Sequence, residues 1–251
     1  MRGILLLVVV VTGCDGLFNI DHVDFVPPTA DAAPMIDAVP DAFVTPELLA
    51  RFEFENDLKS TTGGTAICAP TPGSCPQYVV GKHGNAVRIG GSAPCIKYTL
   101  PHPIQSFTVM AWIDRGTDDT ASRAIFAQQL GAGSSDSWLL NTDSNHDVRF
   151  ITNNGNFDDT MVTPGALAQT WQHVAISFNF ATATKRFYAD GMVKNTSSGA
   201  QIQWAGLDVT IGCDRDITNY VSFFLGNIDD FRIYDRALAD AEIAAIALGA
   251  D

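Results

Sequence analysis

Positive charge is scarce in this chain of 251 residues. Fifteen Lys and Arg stand against 28 Asp and Glu, a formal net charge of −13. Nucleic acids and anionic membrane surfaces are held largely by cationic side chains, so neither is a fitting partner. Glutamate is also sparse: only Glu47, Glu53, Glu55 and Glu242 occur. No Gly-x-Ser-x-Gly and no His-Glu-x-x-His is present, and the five histidines are scattered. Nucleophile-elbow and zinc-peptidase chemistry therefore lack their carriers. The apolar run Ile4–Val11 is too short to span a bilayer. What is plentiful is apolar material, 46 % against 17 % charged, enough for a sizeable core.

The N-terminal stretch has one positive residue, Arg2, and then that apolar run, as the h-region of a secretory signal does. Val11-Thr12-Gly13-Cys14 resembles a bacterial lipobox. The resemblance implies cleavage before Cys14, lipidation of its thiol and new amine, and a firm membrane anchor. Residues 1–13 are thus expected to be a signal peptide. Residues 14–48 are rich in Pro, Asp and Ala (Pro27-Pro28, Ala30–Pro34) and show no sustained apolar period, so they are expected to be an extended tether. The protein is then expected at the cell envelope, outside the cytoplasm.

From Leu49 the pattern turns to strands. Phe52 and Phe54 alternate with Glu53, Glu55 and Asp57, predicting a strand from Leu49 to Leu58 with an acidic outer face. Phe107–Ile113 carries apolar residues on both faces and reads as a covered, central strand. Lys185–Ala189 and Met192–Asn195 flank Asp190-Gly191, a strong hairpin signal. Short strands recurring about every ten residues, with Gly/Ser/Asp/Asn-rich loops between, predict an all-β antiparallel sandwich. Near the end the period changes. Leu238, Ile243, Ile246 and Ala247 form a helical stripe, with Asp240 and Glu242 in the first turn and Gly249 closing it.

Five stretches carry a family resemblance in order: Gly-Asn-Ala-Val-Arg (84–88), Ser-Phe-Thr-Val-x-Ala-Trp-Ile (106–113), Trp-x-His-Val-Ala (171–175), Tyr-Ala-Asp-Gly (188–191) and Gly-x-Ile-Asp-Asp-x-Arg-Ile-Tyr-x-Arg-Ala-Leu (226–238). Together they resemble laminin-G-like jelly rolls of the concanavalin A-like lectin/glucanase superfamily. The resemblance spans roughly Leu49–Leu248 and implies one jelly-roll domain, residues 49–251. It also implies non-catalytic binding of a carbohydrate or protein ligand, with an envelope scaffold or a glycoside-hydrolase-like enzyme as the alternatives. The family usually has Ser at the start of the last helix. Here Ala239 faces Glu242 and leaves half a capping box.

Glucanases share this fold, and their retaining chemistry needs two carboxyls about 5 Å apart. The acids of Glu53-x-Glu55-x-Asp57 point away from the face claimed by Phe52 and Phe54, so no catalytic pair is expected. His173, between Trp171 and Val174, reads as a structural hydrogen-bonder. After Cys14, the cysteines Cys68, Cys75, Cys95 and Cys213 form an even set whose spacing suits no zinc site. Beyond a signal peptide they are expected to be oxidised. Cys68–Cys75 with Cys95–Cys213 is the favoured pairing, and Cys68–Cys95 with Cys75–Cys213 the alternative. Trp112 and Trp171 fall in core motifs. Trp138 and Trp204 sit near polar loops and are the candidates for stacking on a sugar. Finally, the resemblance implies a structural calcium near the junction of the first and last strands. Asp229 matches one family acid, with the adjacent Asp230 as its alternative; Ser60 stands where the other would be, and Asp57 is the nearby substitute.

Overall fold

The computed structural model describes residues 48–249 apart from 117–120, 131–132, 134 and 205. The stretches expected to be a signal peptide and a tether, with Cys14, lie outside the described residues up to residue 47. Strands are numbered in chain order. One sheet runs β13 (Met192–Ser198), β12 (Thr184–Ala189), β11 (Gln172–Asn179), β6 (Phe107–Arg115), β17 (Leu225–Tyr234), β4 (Asn85–Gly90) and β3 (Gln77–Val80). Its eighth strand, β1 (Leu48–Phe52), pairs with the second half of β17. The other sheet runs β10 (Asp158–Thr163), β9 (Val148–Asn153), β8 (Asp136–Thr142), β7 (Arg123–Gln129), β14 (Asp208–Ile211), β5 (Cys95–Thr99) and β2 (Ile67–Ala69). A two-stranded piece, β15 (Asp214–Asp216) with β16 (Asn219–Val221), completes the strands. Every pairing is antiparallel, so this is the all-β sandwich that strand spacing predicts.

The core lies between the two sheets. Alternation in β6 sends Phe107, Val109, Ala111 and Ile113 inward, against Phe126, Trp138, Leu140 and Phe150 of the other sheet. Met110, on the opposite face of β6, is also buried. Ile243 of the helix α1 (Asp240–Ala247), with Leu238 just before it, packs with Met110, Ala175, Tyr188 and Tyr234. The helix starts at Ala239, whose amide donates to Glu242 Oε2 at 2.7 Å, while no side chain caps the N3 amide. Half the capping box is thus present, as the sequence implies. Asp190 (φ 52°) and Gly191 (φ 74°) form the hairpin turn between β12 and β13, with both central residues left-handed as the twist of the strands demands. Gly191 is required twice over, because a Cβ there would meet Ala244 Cα of α1 at 2.8 Å.

One strand is shorter than expected. β1 ends at Phe52, and Phe54 (φ 52°) and Asn56 (φ 64°) break the extension. The acids that follow are therefore not one strand face, and each has a separate task. Glu53 pairs with Arg51 at 3.2 Å. Glu55 accepts from the Asn85 amide and side chain, and Asp57 Oδ1 from the Lys59 amide. Two disulfides join Cys68 to Cys75 and Cys95 to Cys213, the favoured pairing. The first closes a local loop. The second ties segments 118 residues apart, where a cross-link removes the most chain entropy.

Candidate functional site

On the outer face of the eight-stranded sheet, neighbouring strands place Arg88, Asn227 and Asp114 side by side in one row. Ile228, Val87 and Ile113, one residue along in each strand, face the core, so these three polar side chains face out. They line an open pocket of about 400 Å3 together with Arg115, Gly116, Gln169, Leu225 and Gly226. Asn227 Nδ2 donates to Asp114 Oδ2 at 3.1 Å, which orients both groups. Gly226 keeps the floor low: a Cβ there would meet the Asp114 carbonyl at 2.3 Å. Carboxylate, amides and guanidinium groups around one hollow supply donors and acceptors in alternation, the kind of lining that reads hydroxyl groups.

Trp112, two residues from Asp114 on the same strand face, borders this region. Sequence motif alone placed it in the core, but the structure leaves it half-buried. Lys82 Nζ sits 4.4 Å above its ring, and the His83 and His173 rings meet it edge-on at 5.8 and 5.5 Å. Its indole is a contact surface with one cation already on it. His173 is 1 % exposed and its Nδ1 has no partner among the described residues. Burial, with Arg232 nearby, lowers its pKa to about 4, so the ring is neutral. The ring packs edge-on against Trp112, and the backbone amide of His173 donates to Asp190 Oδ1 at 3.2 Å.

The tryptophans expected to bind ligand fare differently. Trp138 is fully buried, stacked on Phe107 at 5.0 Å, with Nε1 donating to Gln128 Oε1 at 2.9 Å. It is a core residue and offers no face to a ligand, contrary to the expectation from sequence. Alternation in β8 puts it on the same face as Leu140, whatever the polarity of the loop before it. Trp204 is half-buried and meets Phe107 edge-on at 5.8 Å, so its ring is turned towards the core.

The calcium ligands implied by resemblance do not fit that ion. Asp57 is exposed and caps its own turn. Asp229 is buried, but both of its oxygens accept amide protons, Oδ2 from His83 at 2.8 Å and Oδ1 from Asp230 at 2.7 Å, with the Lys82 amide also facing it. A carboxylate ringed by N–H groups presents their positive ends to any approaching cation. Burial still pushes its pKa up to about 6, against those amides.

A different pair of acids is buried together. Asp136 opens β8 and Asp214 opens β15, and the two carboxyls lie near enough for each to affect the other's titration. Both are more than nine-tenths buried, and Asp136 Oδ1 has no hydrogen-bond partner among the described residues. Burial first, and then Asp214, push the Asp136 carboxyl up to about 9, with Asp216 and Asp158 adding to the same effect. Two carboxyls that close on each other need a proton or a cation between them. No three Asp, Glu, His or Cys side chains converge among the described residues. A hard cation here would hold Asp136 and Asp214 and draw its remaining ligands from carbonyls and water.

With this geometry in view, known proteins show what the chain resembles. A family model for the concanavalin A-like lectin/glucanases superfamily matches residues 90–244. No curated relative matches the sequence. Among solved structures, domain 4 of an extracellular GH43 arabinanase from Geobacillus stearothermophilus, solved with arabinotriose, superposes with a TM-score of 0.63. It is 19 % identical, and the match covers 80 % of this chain and 98 % of that one. The receptor-binding domain of a botulinum neurotoxin C/D mosaic serotype gives 0.63 at 16 % identity, over 80 % of this chain and 51 % of that one. A type C botulinum neurotoxin structure, whose cell entry is described as dependent on two ganglioside molecules, gives 0.60 at 15 % identity, over 81 % and 51 %. The chain thus spans about half the length of the toxin chains it matches. At these identities the structural likeness speaks for the fold. The family match, over more than half of the sequence, says more: the chain belongs to the concanavalin A-like lectin/glucanase superfamily, as one of its laminin-G-like jelly rolls.

Proposed function

We propose that this protein is a non-catalytic glycan-recognition domain held at the outside of a bacterial envelope by a lipid on Cys14. The observation that carries the reading is the pocket of Arg88, Asp114, Gln169 and Asn227, which offers a sugar a convergent set of donors and acceptors beside Trp112. The arabinotriose-bound and ganglioside-dependent neighbours support a glycan as the ligand class. The two disulfides support an oxidising, extracytoplasmic setting. A calcium ion bridging Asp136 and Asp214 is part of the same proposal, as a structural clamp on the loops that carry them.

The purified full chain, titrated calorimetrically with a panel of oligosaccharides, tests the reading. Binding of at least one oligosaccharide is expected, without release of reducing ends on long incubation. Asp114→Ala should weaken binding about tenfold, the loss that goes with one charge-assisted hydrogen bond. Silence across the panel would overturn the glycan reading and leave a protein ligand or a scaffold role. The anchor has its own check: partition into detergent should be lost in Cys14→Ser.

A further inference from the structure

At the opposite end of β6 from that pocket, the sandwich carries an exposed aromatic ring that its packing does not explain. Phe157, in the turn between β9 and β10, is 65 % exposed. The turn that presents it is tightly held. Asn154 Oδ1 accepts the amides of Asn156 and Phe157 at 3.0 and 3.2 Å. Asn153 Oδ1 accepts from the Gly155 amide, and Asn153 Nδ2 donates to Asp158 at 2.6 Å. The Gln203 amide binds the Asn153 carbonyl at 2.8 Å and fastens the turn to the neighbouring segment. A large apolar side chain held on a turn fixed by side-chain bonds loses little freedom when a ligand packs on it.

Beside it lies a hollow of about 200 Å3, lined by Asn154, Phe157, Asp159, Gly199 and Gln201. At ~30 Å3 per water this is space for roughly seven waters, the scale of one sugar ring rather than a chain. Asp159 is the charged group of the lining. Beneath it lies Lys185, 0 % exposed, whose Nζ donates to the Asp159 carbonyl at 2.6 Å and lies 3.3 Å from its Oδ2. Thr152 Oγ1 at 3.3 Å and the Phe150 ring at 5.5 Å are its other neighbours. Burying an ammonium is expensive, and burial does lower the Lys185 pKa. What that buried charge achieves is to fix the direction of the Asp159 carboxylate at the rim of the hollow.

We infer that this hollow is a second sugar subsite, taking one neutral ring with its C–H face on Phe157 and two adjacent hydroxyls on the Asp159 carboxylate. The amides of Asn154 and Gln201 supply the neighbouring donors and acceptors. Stacking needs an apolar face, a bidentate acceptor needs vicinal hydroxyls, and a pyranose or furanose offers both. A uronic acid is disfavoured, because its carboxylate would meet Asp159 in a chain of net charge −13. The inference shares the glycan reading with the pocket at Asp114 but uses none of its residues.

Calorimetric titration of the full chain with arabinotriose, xylotriose, cellotriose, mannotriose and, as the acidic control, trigalacturonate decides it. A neutral trisaccharide should bind at two sites in the wild type and at one in Phe157→Ala, with Phe157→Trp restoring the second. Asp159→Asn should weaken that site about tenfold. Phe157→Ala should leave the melting temperature unchanged, since the side chain is mostly in water. Binding unaffected by Phe157→Ala but lost in Asp114→Ala would overturn this subsite and keep the first pocket. The reverse pattern would keep this subsite and remove the first. A preference for trigalacturonate would overturn the neutral-ring assignment, and no binding by any of the five would overturn both sites.

Discussion

Asp229 and Asp230, adjacent in β17, and Asp136 and Asp214, brought together from β8 and β15, are two pairs of buried carboxylates in opposite surroundings. In the first pair each acid has its own donors. Asp229 is met by backbone amides. Asp230, left-handed at φ 44° in a bulge, turns to the other side and takes Arg51 at 2.8 Å and Arg232 at 2.8 and 3.1 Å. Although burial opposes it, those guanidinium groups hold the Asp230 carboxyl below the ordinary range. In the second pair the acids face each other, and Asp136 is pushed up to about 9. Burial is common to both pairs. What separates them is donor supply: Asp214 accepts the Arg215 amide, while Asp136 Oδ1 has no partner among the described residues.

Breaking the satisfied pair should have the largest effect. Asp230→Ala leaves Arg51 and Arg232 facing the space it filled. It is expected to cost about 3–5 kcal/mol in denaturant unfolding, as removal of one partner from a buried ion pair does. A loss under about 1 kcal/mol would mean the guanidinium groups find water.

The unsatisfied pair should respond in the opposite sense. Without metal, Asp136→Asn is expected to raise stability at neutral pH by about 1–3 kcal/mol, since it removes a buried carboxyl that lacks a donor. Its titration has a defined sign. Between the ordinary value of 3.8 and about 9, the folded protein keeps a proton on Asp136 that the unfolded chain has released. The folded state then binds more protons, and stability falls as pH rises through that window. Asp230 has the reverse sign: its contribution is present above the ordinary carboxylate value and is lost as pH falls through its depressed one. Calcium at millimolar concentration should flatten the first slope by replacing the proton, and should raise the melting temperature of the wild type but not of Asp136→Asn. A calcium shift that survives Asp136→Asn would remove the clamp.

The smallest effect sharpens the contrast by being near zero. Asp57→Ala, at an exposed turn, should change stability by no more than about 0.5 kcal/mol. Asp57→Ala and Asp229→Asn should both leave the calcium response as it is in the wild type, because Asp57 caps its own turn and both oxygens of Asp229 already accept amide protons. A response lost in either would restore the site that family resemblance implies.

Local sequence determined much of this protein by itself. Alternation and spacing are properties of short stretches, so β6, the Asp190-Gly191 hairpin, the half-capped helix and the antiparallel sandwich were all legible. The even set of cysteines and the closeness of Cys68 to Cys75 were enough to favour the pairing found. Tertiary structure decided which residues work together, because that depends on strands distant in sequence meeting in register. Trp138 looked like a loop tryptophan until β8 turned it onto Phe107. Trp112 looked like core until the outer face of its sheet was left partly open beside Arg88, Asn227 and Asp114. Asp136 and Asp214 share no motif and lie in different strands, so their contact exists only in the folded chain. The same holds for Lys185 beneath Asp159. A burial cost or a missing donor is a property of the whole surroundings of a side chain, and no window of sequence contains those surroundings.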